Sequence, residues 1–176
     1  MIAYRRAPNI KDKVVRANHN ITNIPKQLAK EKDNKSLIAK LMNHSKKVTN
    51  PENQRSCFIE GGRGNTKGSI YSAKCTKHNK IYVGQTIQAL NERFNGHRSD
   101  VTHYPEKCDL AKHFHGNNCD INSELEISIL EHAYGPSDYM RHKEDKWIMR
   151  LQTHVPYGLN SKLSEYGSIY QTLFLK

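Results

Sequence analysis

The chain of 176 residues has no long apolar segment. It contains no run of about 18 apolar residues that could span a membrane, and no apolar stretch near the N-terminus resembles a secretory signal. It also shows no lipidation motif beside a basic amphipathic helix. We therefore expect neither a membrane partner nor secretion through a signal peptide.

Cysteine and acidic residues are both scarce. Disulfides are the poorer interpretation of the four cysteines, because no secretory signal is visible. Acidic residues number 17 against 28 lysines and arginines, which gives a net charge of +11. Since phosphate neutralisation supplies most non-specific affinity for nucleic acid, a polyanionic partner is the natural interpretation. A merely soluble basic protein is the alternative.

The chain divides by composition near residue 66. Residues 1–66 predict a basic linker or arm that is partly helical, since Leu37, Ile38, Leu41 and Met42 fit one helix face. Residues 46–67 are polar and glycine-rich, which is typical of a linker. Because this part holds too little apolar material for its own core, we expect it to lie on something else or to be mobile. The compact domain is expected over residues 67–176.

The pattern of the second part predicts strands and helices in alternation. Strands are expected over residues 69–75, 80–84 and 124–130, with a turn at 76–79 between the first two. Helices are expected over residues 88–98, 110–114 and 138–151, with Thr86 and Ser137 as N-caps of the first and last. Residues 161–176 remain ambiguous, although Tyr166, Ile169 and Leu173 could pack on the domain.

Residues 68–97 concentrate side chains that can handle phosphate. Arg93 and His97 are four apart on a predicted helix and share a face, and a guanidinium matches phosphate oxygens. Tyr71 and Tyr82 lie on neighbouring predicted strands, where a phenol can position an attacking water. The alternatives are solvated side chains on a basic helix and ordinary aromatic packing across a strand pair. Gly84 either permits a close approach of phosphate or makes a turn.

Glu144 falls within an apolar helical stripe. The stripe is formed by Met140, Trp147, Ile148 and Leu151, so Glu144 lies on or at the edge of the face that packs on the core. A buried carboxylate needs a partner or a metal, and Mg²⁺ is commonly held by one or two carboxylates plus phosphate oxygens and water. A structural salt bridge is the alternative.

These residues, in this order, resemble the GIY-YIG nuclease family. The matching elements are Ser69-Ile70-Tyr71, Tyr82-Val83-Gly84, Arg93, His97, Glu144 and Asn160. The resemblance implies an α+β fold with a small three-stranded antiparallel sheet flanked by helices. It also implies a one-metal phosphodiesterase that uses Mg²⁺ or Mn²⁺. Ser69 stands where the first motif usually has glycine.

The family resemblance also implies a role for each residue. Tyr71 or Tyr82 would orient the attacking water, and Arg93 would stabilise charge on the phosphate. His97 would assist proton transfer. Glu144 would hold the metal ion, and Asn160 would support the site.

A closer resemblance is to the endonuclease of Penelope-like retroelements. Residues 4–17 are similar to the linker that follows the reverse transcriptase of these elements, and residues 74–86 and 109–119 resemble the segments that carry a zinc site in that subgroup. The resemblance implies DNA as substrate and a reverse transcriptase domain or element RNA as partner. The Lys/Arg-rich stretches are compatible with nuclear import, so we expect nuclear localisation.

The spacing of cysteines and histidines is compatible with such a zinc site. Cys75 and His78 are separated by two residues, and His113 with Cys119 forms a second, looser pair. The subgroup usually places two cysteines in one half and two histidines in the other, whereas here each half has one of each. Alternative ligands are Cys57, Cys108 and His115, and buried free thiols with surface histidines are the interpretation without metal.

We therefore expect a divalent-metal-dependent DNA endonuclease that nicks by water attack. Two other hypotheses are a zinc-stapled nucleic-acid-binding module without cleavage and a repair or junction nuclease. The first differs from the endonuclease because a binding module has no need of a carboxylate that faces phosphate.

Overall fold

The structure of the protein is a computed structural model that describes residues 37–163. Residues 1–36 of the predicted arm, and the residues from Tyr166 onward that could pack on the domain, lie outside that range. After a helical turn at residues 37–41, the elements are β1 (Lys47–Thr49), β2 (Ser56–Phe58), β3 (Lys67–Cys75), β4 (Lys80–Ala89), α1 (Leu90–His103), a short 3-10 helix (Pro105–Lys107), α2 (Asp109–Gly116), β5 (Leu125–His132) and α3 (Ser137–Leu151). Within the described range, none of the helices combines the length and apolar character needed to cross a bilayer.

The central element is an antiparallel sheet of three strands in the order β4–β3–β5. Its hairpin turn covers residues 76–79, as predicted, and Asn79 adopts the left-handed conformation that asparagine tolerates better than most residues. The predicted α+β fold, with a three-stranded antiparallel sheet flanked by helices, is therefore confirmed.

Both predicted N-caps are wrong. β4 continues to Ala89, which pairs with Lys67, so Thr86 lies in the strand and accepts a hydrogen bond from the Gln88 amide there. Ala89 occupies the N-cap position of α1, and the Leu90 amide instead donates to the Thr66 carbonyl at 3.1 Å. For α3, Pro136 is the N-cap residue and the predicted cap is the first helical residue. Because β4 pairs with β3 as far as Ala89, the strand continues past Thr86, the residue that local capping chemistry favours.

The alternation of side chains along β3 supplies two cores, one on each face of the sheet. Tyr71, Ala73 and Cys75 pack with apolar residues of α1 and α2, whereas Ile70 packs with the apolar stripe of α3. Trp147 in that stripe is a core residue, as expected from its position. The sheet is thus a middle layer, and its edge strand β4 is where groups from both helical layers can meet.

Residues 37–66 pack against the sheet domain. Ile38 and Leu41 are buried in the core beside α1 and α2, and the backbone N–H of Asn43 donates to the Ile127 carbonyl at 2.7 Å. The Gly61 amide donates to the Ile129 carbonyl at 3.1 Å. The compact unit therefore begins at Leu37, although the composition changes near residue 66. The apolar side chains of this segment pack in the core of the sheet domain and do not form a separate core.

Candidate active site and Cys/His cluster

A cavity of about 520 Å³ opens at the β4 edge of the sheet. We call it the edge cavity. β4 and α1 contribute Tyr82, Gln85 and Arg93 to its lining, while α3 contributes Met140 and Glu144. The structure therefore brings three of the sequence-predicted site residues to one surface, namely a phenol, a guanidinium and a carboxylate.

Gly84 is required by the two tyrosines and not by a turn. Tyr71 pairs with Gly84 across the hairpin, and Tyr82 lies two residues before Gly84 on the same sheet face. A Cβ atom at Gly84 would lie 2.7 Å from the Tyr71 hydroxyl oxygen and 2.7 Å from a ring carbon of Tyr82. The glycine thus leaves the space in which both phenols pack, while β4 continues past it to Ala89.

Arg93 and His97 both contact the Tyr71 hydroxyl. The Tyr71 Oη atom lies 2.6 Å from His97 Nε2, and Arg93 Nε donates to the same oxygen at 3.3 Å. The His97 ring also meets the edge of Tyr82, with 6.1 Å between ring centroids. The two residues of the predicted helical pair therefore meet at the Tyr71 hydroxyl, and of the two only Arg93 lines the edge cavity among the described residues.

Burial sets the protonation of this group. It raises the pKa of Tyr71 to about 12 against the opposing charge of Arg93, and it raises the pKa of Tyr82 well above its usual range. Burial, followed by the charges of Arg93 and Lys107, lowers the pKa of His97 to about 3. Both phenols and the imidazole are therefore neutral near pH 7, and Arg93 supplies the positive charge.

Glu144 is a half-buried carboxylate that faces the edge cavity. Burial, with a smaller contribution from Asp145, raises its pKa to about 7, although Arg93 and a hydrogen bond from Gln85 oppose the shift. A divalent cation beside this carboxylate would offset the cost of ionising it. One carboxylate with room for phosphate oxygens and water suits Mg²⁺ or Mn²⁺. The donor set at the cavity thus fits the predicted ion.

Asn160 lies behind the cavity and anchors β4. Its side chain accepts from the Val83 amide at 2.9 Å and donates to the Val83 carbonyl at 2.8 Å, while Thr153 donates to Asn160 Oδ1 at 2.8 Å. Val83 stands between Tyr82 and Gly84, so the amide fixes the strand that carries the phenol. The supporting role that the family resemblance implies for Asn160 stays a prediction.

The four predicted zinc ligands converge at the opposite end of the hairpin. The ligand atoms of Cys75, His78, His113 and Cys119 all lie within 4.8 Å of one another, and we call them the Cys/His cluster. Cys119 Sγ is 3.4 Å from His78 Nδ1, Cys75 Sγ is 3.6 Å from the same nitrogen, and the two sulfurs are 3.9 Å apart. The edges of a tetrahedron with zinc–ligand bonds of ordinary length measure about 3.3 to 3.8 Å.

The chemistry of the cluster also fits a metal. His113 Nε2 is buried and has no hydrogen-bond partner within the described residues, while its Nδ1 faces the Asn117 amide at 3.3 Å. Burial, then the charge of His78, lowers the pKa of His113, which favours the neutral ligand form. Burial, then the neighbouring Cys75, raises the pKa of Cys119 to about 11, so the thiolate form requires a cation.

The alternative zinc ligands lie elsewhere. Cys57 is in β2, the Cys108 sulfur is 3.7 Å from His97 Nδ1, and His115 Nδ1 is 3.1 Å from the Val101 carbonyl oxygen. All four cysteines are free thiols.

Two residues beside the site were not assigned a role there from the sequence. Gln85 lines the cavity and bonds Glu144, and Cys108 contacts His97. The signal for Gln85 was its position on β4 next to Gly84. The Cys108 contact depends on how the 3-10 helix returns the chain to α1, which no local pattern encodes.

Comparisons with known proteins agree with the motif pattern. The family model of the GIY-YIG catalytic domain matches residues 67–157, just over half of the chain. Intron-associated endonuclease 1 of Enterobacteria phage T4 is 30% identical over 113 residues, which cover 62% of this chain and 43% of that protein. The chain thus matches less than half the length of that relative.

Two solved structures are also similar. A mutant catalytic domain of the intron endonuclease I-TevI is 26% identical, with a TM-score of 0.46, and covers 55% of this chain and 95% of its own. The catalytic domain of the homing endonuclease I-TevI is 28% identical, with a TM-score of 0.44, and covers 55% of this chain and 99% of its own. On the family match to residues 67–157, and with Tyr82, Arg93 and Glu144 gathered at one edge of the sheet, this chain belongs to the GIY-YIG family.

Proposed function

We propose that the chain is a divalent-metal-dependent DNA endonuclease that nicks a phosphodiester by water attack. The observation that supports it best is the convergence of Tyr82, Arg93 and Glu144 on the edge cavity. A module that only binds nucleic acid gains nothing from a half-buried carboxylate there, because its charge opposes the phosphate. The net charge of +11 supplies the general attraction to DNA.

Each side chain has a role in the proposed reaction. Tyr82 lines the cavity, so its hydroxyl is the phenol that orients the attacking water. Arg93 stabilises the charge that develops on the non-bridging oxygens as the new P–O bond forms and the old one breaks. Tyr71 accepts a hydrogen bond from that guanidinium, His97 contacts the same Tyr71 hydroxyl, and Asn160 fixes β4.

Glu144 would hold Mg²⁺ or Mn²⁺ together with oxygens of the scissile phosphate and water. When bound, such an ion supplies charge neutralisation at the phosphate and at the leaving oxygen.

The Cys/His cluster would hold zinc as a structural clip between the hairpin turn and α2. Four ligands that enclose the ion leave no open position for a substrate, which is the pattern of structural zinc sites. Metal analysis of purified protein should give about one zinc per chain, and less than about 0.2 equivalents would rule out the clip at the stoichiometry it requires.

The central test is nicking of supercoiled plasmid in Mg²⁺. We expect the parent to convert plasmid to open circles, and Glu144→Ala and Arg93→Ala to lose this activity. Glu92→Ala is the matched control, because Glu92 is an exposed carboxylate on α1. Equal nicking by all four proteins would point to a contaminant and favour the binding module. Faster cutting of branched DNA than of plasmid would favour the repair or junction nuclease.

We further propose that the enzyme derives from a Penelope-like retroelement and makes the target-site cut. The resemblance of residues 4–17 and of the zinc-ligand segments to that subgroup supports this origin. In that setting its partners are a reverse transcriptase domain or element RNA, and its location is the nucleus. The nicked strand should then end in a 3′-hydroxyl that a polymerase extends without prior processing. A blocked end would contradict the priming role, and a cytoplasmic fluorescent fusion would contradict the location.

A further inference from the structure

A buried line of polar contacts runs from Cys108 to Arg93. Cys108 Sγ lies 3.7 Å from His97 Nδ1, and His97 Nε2 lies 2.6 Å from Tyr71 Oη. Arg93 Nε then donates to that hydroxyl oxygen at 3.3 Å. The imidazole and the phenol are 3% and 1% exposed, so water contributes little to their hydrogen bonding.

Counting donors along this line fixes the direction of each hydrogen bond. Arg93 can only donate, so the Tyr71 oxygen accepts from it and must place its own hydrogen elsewhere. The acceptor that the structure places at 2.6 Å is His97 Nε2, which must therefore carry no hydrogen. A neutral imidazole has one N–H, so that hydrogen is on Nδ1 and points at the Cys108 sulfur. The low pKa of His97, about 3, agrees with a neutral ring.

Resting on the proposed function, we propose that Cys108 is a positioning residue: its sulfur accepts the Nδ1 hydrogen of His97, and the tautomer that this selects lets Tyr71 hold the Arg93 guanidinium toward the scissile phosphate. The sulfur acts on Arg93 through three contacts and touches neither substrate nor metal.

The opposite tautomer would break the line. With its hydrogen on Nε2, His97 would donate to Tyr71, and the phenol hydrogen would turn toward the Arg93 Nε–H, another donor. Two donors facing each other repel, so Arg93 would lose its anchor. The consequence is a misplaced guanidinium in a protein that is still folded.

The groups around His97 leave the Cys108 sulfur as the acceptor of the Nδ1 hydrogen. The buried Asp100 carboxylate, one turn along α1, is engaged by Lys107 at 2.8 Å. Burial raises the pKa of Cys108, so the sulfur remains a neutral thiol beside the ring. Tyr82 faces the ring by its edge and not through a hydrogen bond that the structure records.

The test is to observe the His97 tautomer by nitrogen NMR. In protein labelled with ¹⁵N-histidine, the spectrum of His97→Gln identifies the His97 signals among the ten histidines. We expect the parent and Cys108→Ser, which keeps an acceptor, to carry the hydrogen on Nδ1, and Cys108→Val to shift it toward Nε2. A parent protein with the hydrogen on Nε2 overturns the proposal. This readout needs no cleavage, so it stands even if the proposed endonuclease activity fails.

Kinetics supply the second arm. We expect Cys108→Val to lower the turnover number of nicking by roughly tenfold or more, as a wrong histidine tautomer does in other enzymes, with a KM within about threefold of the parent. Cys108→Ser should recover most of the rate. Cys57→Val is the matched control, because Cys57 is a half-buried thiol in β2, and it should nick like the parent. Loss of rate in Cys108→Ser equal to that in Cys108→Val would overturn the role of the acceptor, since packing alone would then explain both.

Discussion

The edge cavity and the Cys/His cluster are built on one hairpin but present their donors in opposite ways. Tyr71 and Cys75 are four residues apart on the same face of β3. At the turn, four ligand atoms crowd within 4.8 Å and enclose a position between them. At the β4 edge, Glu144 faces a cavity that it shares with Arg93 and Tyr82. The first arrangement is closed, as structural metal sites are, and the second leaves room for substrate.

The closed arrangement of the Cys/His cluster suits a role in stability, whereas the open arrangement at the edge cavity suits the proposed reaction. A closed set of ligands can add metal-binding free energy to folding, but it has no position for a phosphate. An open set can bind phosphate and water, but it leaves a carboxylate partly desolvated in the folded protein. Variants at the two sites should therefore affect different measurements, and each prediction below tests that separation.

Arg93→Ala should have the largest effect, confined to activity. Removing the guanidinium that stabilises the phosphate should slow nicking by about 10³-fold or more, as loss of comparable arginines does in phosphoryl transfer. The melting temperature should change by no more than a few degrees, because Arg93 lies at the cavity surface. Arg98→Ala is the matched control on the same helix, and we expect it to alter nicking only a few-fold. A large fall in melting temperature for Arg93→Ala would break the separation.

Cys119→Ser should have the complementary effect, on stability. If zinc binds with a dissociation constant a thousandfold below its free concentration, its loss costs about 4 kcal/mol of unfolding free energy. For a domain of this size the melting temperature should fall by roughly 10 °C. Nicking at 20 °C should stay within about threefold of the parent. Cys57→Ser should melt like the parent, and an equal fall in both variants would mean that the thiols matter only for packing.

Asn160→Ala should lower both the melting temperature and the rate of nicking, because Asn160 stabilises the strand that carries Tyr82. The change leaves the buried Val83 amide and carbonyl without the Asn160 side chain, which costs about 2 kcal/mol. Because Val83 lies between Tyr82 and Gly84, nicking should also fall by roughly tenfold. Asn53→Ala is the control, since Asn53 bonds the Leu151 carbonyl at the end of α3. It should lower the melting temperature without changing the rate of nicking at 20 °C.

Much of the fold could be predicted from the sequence. The wrong predictions concern strands whose extent depends on pairing with other strands and not on local sequence. The family resemblance implied the α+β fold, and the alternation of apolar residues predicted the strand over residues 124–130. The helical spacing of Arg93 and His97 predicted the shared face of that pair. Thr86 misled because pairing with β3 extends β4 through the residue that local capping chemistry favours. The linker over residues 46–67 concealed β1 and β2, since each is three residues long.

The site was less predictable than the fold. Spacing predicted that Cys75 and His78 could chelate, but the approach of His113 and Cys119 depends on how α2 packs on the hairpin. The motif positions of both tyrosines were clear, whereas their different exposure to the cavity was not. Only Tyr82 of the two lines the edge cavity within the described residues, because Tyr71 lies on the central strand, between its two neighbours.

Glu144→Gln should have the smallest effect on stability, and the sign of that effect distinguishes the edge cavity from the Cys/His cluster. The pKa of Glu144 in the folded protein is about 7, above the ordinary value of 4.5, so the folded state binds more protons between these values. In the absence of divalent cation, the stability of the parent should therefore fall as the pH rises from about 5 to 8. Glu144→Gln lacks this titration, and at pH 8 it should be more stable than the parent by on the order of 1 kcal/mol, since partial exposure weakens the effect.

Melting temperatures of the two proteins, measured from pH 5 to pH 8 with a chelator, test the sign. Glu131→Gln is the contrasting variant: although burial raises the pKa of Glu131, hydrogen bonds from Lys143 and Trp147 hold it below the ordinary value. Its loss should destabilise the fold at neutral pH. Adding Mg²⁺ at pH 8 should raise the melting temperature of the parent and leave Glu144→Gln unchanged. If Glu144→Gln melted below the parent at pH 8 without metal, the carboxylate would be a stabilising partner in an ion pair, and the edge cavity would stabilise the fold as we propose for the Cys/His cluster.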